Sequence, residues 1–496
     1  MTSTKPFVIP KRLIWEAYRR VKANRGAAGV DAVSIEQFDE NRNGNLYRIW
    51  NRLSSGSYFP PAVKAVPIPK KSGGERMLGV PTVSDRIAQT AVVLALEPDL
   101  ERVFHPDSYG YRPGRSAHDA LAVTRQRCWR RNWVLEYDIR GLFDNIDHAL
   151  LLRALRHHCQ ERWILLHVER WLTAPMQRAD GTVIERTVGT PQGGPLSPLL
   201  ANLFLHYALD HWLATHHPEI EFCRYADDGI LHCRSEAEAL QMREHLSSRL
   251  QSCGLELHPD KTRVVYCKDS ERPGKHPVIQ FDFLGYTFRP RRVRFRDGTL
   301  QTGFNPAVSR AALKAMRQRL RDSGVFRYSH HDLQALADWT APRLRGWMRY
   351  YCRFRGSEFQ TLADYVDFLI VRWAMRKYKR LRGHKTRAYA WLDRQKRRSP
   401  SLFAHWSGRG GSSLGRLDRP PGWSEAERRG PRAGTSVQGV VVPAPETGPQ
   451  THRLHRKLND RFPQRPMHKL VQNTGDESLP GNAWLQFGQS CAGSGG

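Results

Sequence analysis

The tetrapeptide Tyr225-Ala226-Asp227-Asp228 constrains this chain more than any other feature. Phe222 and Cys223 precede it and Ile230-Leu231-His232-Cys233 follows, so two β-prone runs flank a short acidic turn. Such flanks predict a hairpin with the carboxylates at its tip. Earlier in the chain, Val134-Leu135-Glu136-Tyr137-Asp138-Ile139 places a lone carboxylate after another such run, where a neighbouring strand can hold it opposite the first two. An Asp-Asp pair by itself is an ordinary turn. Three carboxylates on rigid strands can hold two divalent cations about 4 Å apart around a transferring phosphoryl group.

The charge balance points to a polyanionic partner. Lys plus Arg number 78 against 48 Asp plus Glu, a net charge of +30, with a pI near 10.2. A soluble basic protein would share that total, but the excess is local: residues 300–407 hold 23 Lys or Arg and seven Asp or Glu, as expected of a surface laid against phosphates. The 496 residues suffice for two or three packed units. Eight cysteines form no Cys-x-x-Cys pair and no zinc-like quartet, so they are expected to be small buried residues in a reducing cytosol. The apolar stretch Leu94 to Leu100 is broken by Glu97, Pro98 and Asp99. With no secretory signal and no run of transmembrane length, the expectation is a soluble cytoplasmic protein without a membrane partner.

Further segments surround the acidic ones. They are Asn24-Arg25-Gly26-Ala27-Ala28-Gly29-Val30-Asp31, Ile68-Pro69-Lys70, Arg76-Met77-Leu78-Gly79-Val80-Pro81-Thr82-Val83-Ser84-Asp85-Arg86 and His105-Pro106-Asp107-Ser108-Tyr109-Gly110-Tyr111-Arg112-Pro113-Gly114. After them come Asp138-Ile139-Arg140-Gly141-Leu142-Phe143-Asp144, Gly189-Thr190-Pro191-Gln192-Gly193-Gly194 and Phe283-Leu284-Gly285. In this order the chain resembles bacterial group II intron-encoded proteins, in which a reverse transcriptase is joined to an RNA-splicing maturase domain. The likeness runs from about residue 15 to about residue 405. It implies an α+β right-hand polymerase: an N-terminal extension (1–60), fingers (61–130), a palm with the catalytic Asp residues (131–295) and a helical thumb/maturase domain (296–407).

Local patterns fill in this frame. Helical spacing of Leu13, Ala17 and Val21 predicts a helix from Lys11 to Ala23, ended by Asn24-Arg25-Gly26; the resemblance gives this extension a contact with template or intron RNA. Residues 66–71 and 76–80 read as a glycine-turned hairpin. Its Lys70 and Arg76 would neutralise an incoming triphosphate if it folds over the palm. Gln192 lies in a glycine-rich turn that can approach the template base or the nucleotide, ahead of an apolar helix from Leu199 to Leu213.

The resemblance makes Asp138, Asp227 and Asp228 catalytic, and Asp138, Ile139, Asp227 and Asp228 the holders of two Mg²⁺ ions, with Ile139 also against the nucleotide. It makes Phe143, expected on a loop before a helix marked by Asp147 and His148, a steric gate at the sugar C2′ position; a core phenylalanine fits the same spacing. Lys261, after the strand-like alternation of Leu255 to His258, would approach the triphosphate, although a surface salt bridge would use it equally well.

Beyond Tyr286 the sequence reads as helical. Asn305 with Pro306 predicts a helix start, followed by Leu313, Met316 and Leu320 on an apolar face. A second helical region is predicted from Phe359 to Tyr378. The resemblance makes Arg345, Arg349, Lys377, Lys379, Arg380 and Arg382 RNA contacts. Residues 408–496 hold 24 Gly or Pro and are expected to be loop-like or a weak DNA-binding extension, without the cysteine and histidine pattern of an HNH endonuclease.

The expected activity is RNA-directed DNA polymerisation, extending a DNA primer or target DNA on an RNA template with deoxynucleoside triphosphates. With it goes maturase assistance to splicing and mobility of a group II intron RNA. Alternatives are a non-intron reverse transcriptase of phage defence or spacer capture, a maturase with little polymerase activity, and an RNA-dependent RNA polymerase, which would not need Phe143 as a gate.

Overall fold

The computed structural model describes residues 5–69, 75–294 and 298–407. Lys70 and the 408–496 extension, including its proposed DNA contacts, lie outside the described residues. The first helix, Lys11–Asn24, buries Ile14, Ala17, Tyr18 and Val21 and packs on helix Val83–Val103. Burying one such apolar side chain stabilises by roughly 1.5–3 kcal/mol. It stops where Arg25 takes a left-handed conformation, φ 45°, next to the predicted end.

Strands β1 (Val63–Pro69) and β2 (Glu75–Val80) form the predicted antiparallel hairpin, with Ile68 opposite Arg76. Helix Ala117–Arg130 follows, begun by a reciprocal Ser116/Asp119 capping box, and leads into β3 (Trp133–Asp138). A small hairpin of β4 (Met176–Gln177) and β5 (Val183–Ile184) comes next. Then come β6 (Glu221–Tyr225), β7 (Asp228–Cys233), β8 (Arg263–Tyr266), β9 (Phe281–Phe283), β10 (Tyr286–Arg294) and β11 (Leu300–Val308).

Among the described residues these strands form three sheets, β2-β1-β4-β5, β6-β7-β3-β8 and β11-β10-β9. The architecture is α+β. One departure from expectation is that β4 and β5, from the stretch assigned to the palm, add to the sheet of the β1-β2 hairpin through a parallel pairing of β4 with β1.

A second departure concerns Asn305 and Pro306. They lie inside β11, where Pro306 pairs with Phe288 and Asn305 with Arg289, instead of opening a helix. Pro306 is tolerated because β11 is an edge strand. The Asn305 side chain accepts from Arg125 Nε at 2.9 Å. The cap belongs to Ser309, whose hydroxyl accepts from the Ala312 amide at 3.1 Å, and helix Arg310–Asp322 buries the predicted Leu313, Met316 and Leu320.

The predicted Leu199–Leu213 helix is interrupted: an α-helix over Ser197–Leu205 passes through a π-turn at His206–Asp210 into a second α-helix, His211–His216. That one wider turn delivers Asp210 to the interior, fully buried. The C-terminal unit consists of helices Arg310–Asp322, Leu333–Tyr351, Gln360–Lys377 and Lys385–Arg398, around a core that includes Leu344, Trp347, Ile370, Trp373 and Trp391. The seven described cysteines are all buried, as expected. No helix among the described residues is long and apolar enough to cross a membrane.

Candidate active site

Antiparallel pairing sets Asp138, at the end of β3, directly opposite Asp228, the first residue of β7. Tyr225 pairs with Asp228 across the hairpin, so Ala226 and Asp227 alone make the turn. Ala226 has φ 59°, the left-handed geometry that two-residue hairpin turns demand. The three carboxylates therefore come from two adjacent strands and one tight turn, as the spacing predicts.

Beneath the turn lies a polar network that the sequence does not announce. Arg224 is fully buried. Its Nε and one terminal nitrogen bind both oxygens of buried Asp210, at 2.8 and 2.6 Å. The remaining donors reach Asn202 Oδ1 at 3.1 Å, the Ala226 carbonyl at 2.9 Å and Ser108 Oγ at 2.8 Å. All five guanidinium hydrogens thus find acceptors, one of them the backbone of the acidic turn itself. Asn202 in turn donates to the Gly110 carbonyl at 2.8 Å. A Cβ on Gly110 would stand 2.3 Å from the Ala226 nitrogen, so only glycine lets this segment lie against the turn. Arg224 shares the face of β6 that carries buried Phe222, but nothing local in the sequence marks Asp210 as its buried partner, and sequence reasoning passed over it.

Charge inside the site is poorly compensated. Burial first, then the Asp138 charge, pushes the Asp227 carboxyl up to about 7. Burial followed by Asp138, Asp227 and Glu136 pushes Asp228 well above the ordinary carboxylate range. Two cations oppose these shifts at Asp227, Lys261 and then Arg224; the Lys261 Nζ lies 2.6 Å from Asp138 Oδ2. Lys261 sits on a loop, not after a strand: the segment before it makes one bridge, Leu257 to Ile139.

That bridge is flanked by Arg140 N to Glu256 O (3.3 Å) and His258 N to Asp138 O (2.8 Å). In such a pair the central residue's own carbonyl points away from the partner, so Ile139 turns its carbonyl toward the β7 side. Among the described residues no three His, Cys, Asp or Glu side chains converge as a ready metal-holding group.

Around these acids stand other predicted residues. Phe143 lies in the single-turn helix Leu142–Asn145, not on a loop. It is half-buried, and its ring meets the Tyr111 ring edge-on at 6.4 Å. Gln192 Nε2 donates to Asp144 Oδ2 at 3.2 Å, and the Gln192 carbonyl accepts from Gly79 N on β2 at 2.8 Å. The glycine-rich turn therefore links the β1-β2 hairpin to the Phe143 turn. Arg76, half-exposed on β2, and Asp227 both act on the Tyr111 phenol. Burial and then Asp227 raise that phenol's pKa, and Arg76 opposes them. Tyr111, in the left-handed region at φ 59°, is a site residue to which the sequence patterns assign no role.

Residues 68–288 match the family described as "Reverse transcriptase (RNA-dependent DNA polymerase)", and residues 313–391 match "Group II intron, maturase-specific domain". The chain belongs to the group II intron reverse transcriptase/maturase family. It is 30% identical over 352 residues to Protein YkfC of Escherichia coli (strain K12), covering 62% of this chain and 89% of that protein. It is 34% identical over 204 residues to the group II intron-encoded protein LtrA of Lactococcus lactis subsp. cremoris, covering 40% of this chain and a third (33%) of LtrA. With Nuclear intron maturase 2, mitochondrial, of Arabidopsis thaliana it shares 25% identity over 234 residues, 39% of this chain and 30% of that protein.

The acidic site falls within the reverse transcriptase match, and the six expected RNA contacts fall within the maturase match. Arg345 and Arg349 are exposed one turn apart on helix Leu333–Tyr351, and Lys379, Arg380 and Arg382 are exposed after helix Gln360–Lys377. Lys377 differs from them: its ammonium donates to the Ser329 and His331 carbonyls at 3.1 and 2.6 Å, a task inside the fold.

Proposed function

We propose that this family member extends a primer on an RNA template with deoxynucleoside triphosphates and binds group II intron RNA through its C-terminal helices, assisting splicing and mobility. The observation that carries the polymerase half is the pairing of Asp138 with Asp228 beside Asp227 on a turn tethered to buried Arg224. In this reading residues 131–295 are the palm, 61–130 the fingers with β4 and β5 added, and 296–407 the thumb and maturase domain.

The donor set suits Mg²⁺. Asp138, Asp227, Asp228 and the Ile139 carbonyl are hard oxygen ligands, and the carboxyl pKa values at Asp227 and Asp228 are raised by burial first and by the neighbouring carboxylates second, both of which a divalent cation would offset. Mg²⁺ characteristically takes one or two carboxylates and completes its shell with water and substrate phosphates. Two such ions would supply charge neutralisation at the primer 3′-oxygen and at the leaving pyrophosphate.

The chain's own residues do the positioning. Arg224 and Asn202 hold the turn that carries Asp227. Lys261, beside Asp138, and Arg76, which acts on Tyr111, offer positive charge to the triphosphate. Phe143, backed by Tyr111, sets a wall against a 2′-hydroxyl. The 3′-oxygen attacks the α-phosphorus, a P–O bond to the primer forms, and the bond to pyrophosphate breaks.

The test is the double substitution Asp227→Ala with Asp228→Ala. Primer extension should fall to background while binding of intron RNA persists, because the basic helices are untouched. A folded double variant that extends at the wild-type rate would refute the site.

A further inference from the structure

The segment Phe326–His331, between helices Arg310–Asp322 and Leu333–Tyr351, is firmly held: Phe326 is buried, Arg327 to His330 are exposed and His331 is half-exposed. Helix Gln360–Lys377 binds its carbonyls from one side: Arg376 donates to Phe326 O, Trp373 Nε1 to Tyr328 O at 3.2 Å, and Lys377 to Ser329 O and His331 O. With those carbonyls turned inward, the loop presents rings outward. Tyr328 is 53% exposed. Its ring lies 5.5 Å from His330 and 5.8 Å from His331, and the two imidazoles are 4.3 Å apart.

Three arginines stand on this part of the unit, and the one carboxylate next to the rings in sequence, Asp332, is turned to capping helix Leu333–Tyr351, accepting from the Ala335 amide at 2.7 Å. Arg327, Arg372 and Arg376 are exposed. Burial first, then Arg372 and Arg327, draw the Arg376 pKa down, so both of those guanidiniums act on Arg376. Like charges gathered beside an ordered aromatic surface complement a ligand that carries both phosphates and unstacked π-faces. A double helix offers the phosphates but keeps its bases stacked inside.

We infer that Tyr328, His330 and His331, with Arg327, Arg372 and Arg376, form a binding platform for unpaired nucleotides of single-stranded RNA, the rings stacking on bases and the arginines meeting the backbone. This rests on the reading of the chain as an RNA-binding protein and adds a defined subsite to it. It also gives Lys377 its place: the ammonium orders the platform from behind.

The test uses the full chain at pH 8 with three fluorescent probes: a twelve-nucleotide oligoadenylate, an abasic oligomer of equal length, and an RNA–DNA primer–template duplex. For Tyr328→Ser combined with His330→Ser, affinity for oligoadenylate should drop about tenfold, with an unchanged salt slope and unchanged affinity for the abasic oligomer. Tyr328→Trp should retain wild-type affinity. Arg327→Gln with Arg372→Gln should weaken both single strands and make the salt dependence shallower.

An undiminished oligoadenylate affinity in the ring variant, with duplex binding intact, overturns the platform alone. So does an equal loss on the abasic oligomer. A wild-type chain that binds none of the three probes overturns the RNA-binding reading beneath it.

Discussion

Replacing Arg224 tests whether the acidic turn is held from below. Arg224 and Asp210 have no exposed side-chain surface, so Arg224→Met strands a carboxylate and Asp210→Leu strands a guanidinium. Each should cost about 3–5 kcal/mol, because a buried charge without its partner is far more expensive than the intact pair is stabilising. In the double variant both charges are gone. What remains is the loss of donors to Asn202, Ser108 and the Ala226 carbonyl, each worth about 1–3 kcal/mol if left buried and unmatched. The double variant should therefore be more stable than the sum of the singles predicts by about 2–3 kcal/mol. Its extension rate should not recover, since nothing then tethers the turn bearing Asp227; a displacement near 1 Å is enough for a loss of about a hundredfold in kcat. Urea denaturation followed by tryptophan fluorescence gives the stabilities, and single-turnover primer extension gives the rate. Strictly additive stabilities would refute the ion pair, and a double variant with wild-type kcat would refute the tether.

Phe143→Ala should increase ribonucleotide incorporation relative to deoxyribonucleotide by on the order of ten- to a hundredfold while extension continues; unchanged selectivity in paired assays would remove Phe143 from the gate. Changing exposed Lys379, Arg380 and Arg382 to Gln should weaken intron-RNA binding and flatten its salt dependence, the logarithmic slope falling by about 0.7–0.9 for each phosphate no longer neutralised, whereas Lys377→Gln should chiefly loosen the 326–331 loop. Titration of binding against salt separates the two. In the C-terminal unit, buried Asp367 accepts from His405 Nε2 (3.0 Å), Trp406 Nε1 (2.9 Å) and Lys396 Nζ (2.8 Å). Burial pushes its carboxyl up, but His405, Lys396 and Trp406 outweigh that and hold it at about 2, below the ordinary 3.8. A depressed acid stabilises above its unfolded value and loses that contribution as pH falls through its folded one. Asp367→Asn should therefore cost about 2 kcal/mol at pH 6, with the gap to wild type narrowing below pH 4; a gap independent of pH would show that the carboxylate charge contributes nothing.

Sequence reasoning reached the acidic hairpin, the β1-β2 hairpin, the first helix and the apolar face of helix Arg310–Asp322 because each is a local pattern: alternation, helical period or turn chemistry, read within a few residues. It misread Asn305-Pro306 for a related reason. A cap signature is local too, and the long-range pairing of β11 with β10 overrode it while Ser309 stood ready three residues later.

What the sequence by itself determined is which chemistry the chain can carry: three carboxylates at strand ends and a hairpin turn, a polar glycine-rich turn, and a surplus of cations over residues 300–407. Only the tertiary structure decided how that chemistry is aimed. Arg224 meets Asp210, Gly110 lies under Ala226, and Lys377 is turned onto the carbonyls of a loop, through contacts between residues that lie far apart or on separate elements along the chain. Such pairings follow from close packing and from the need to satisfy each buried charge, and neither condition exists until the chain has folded.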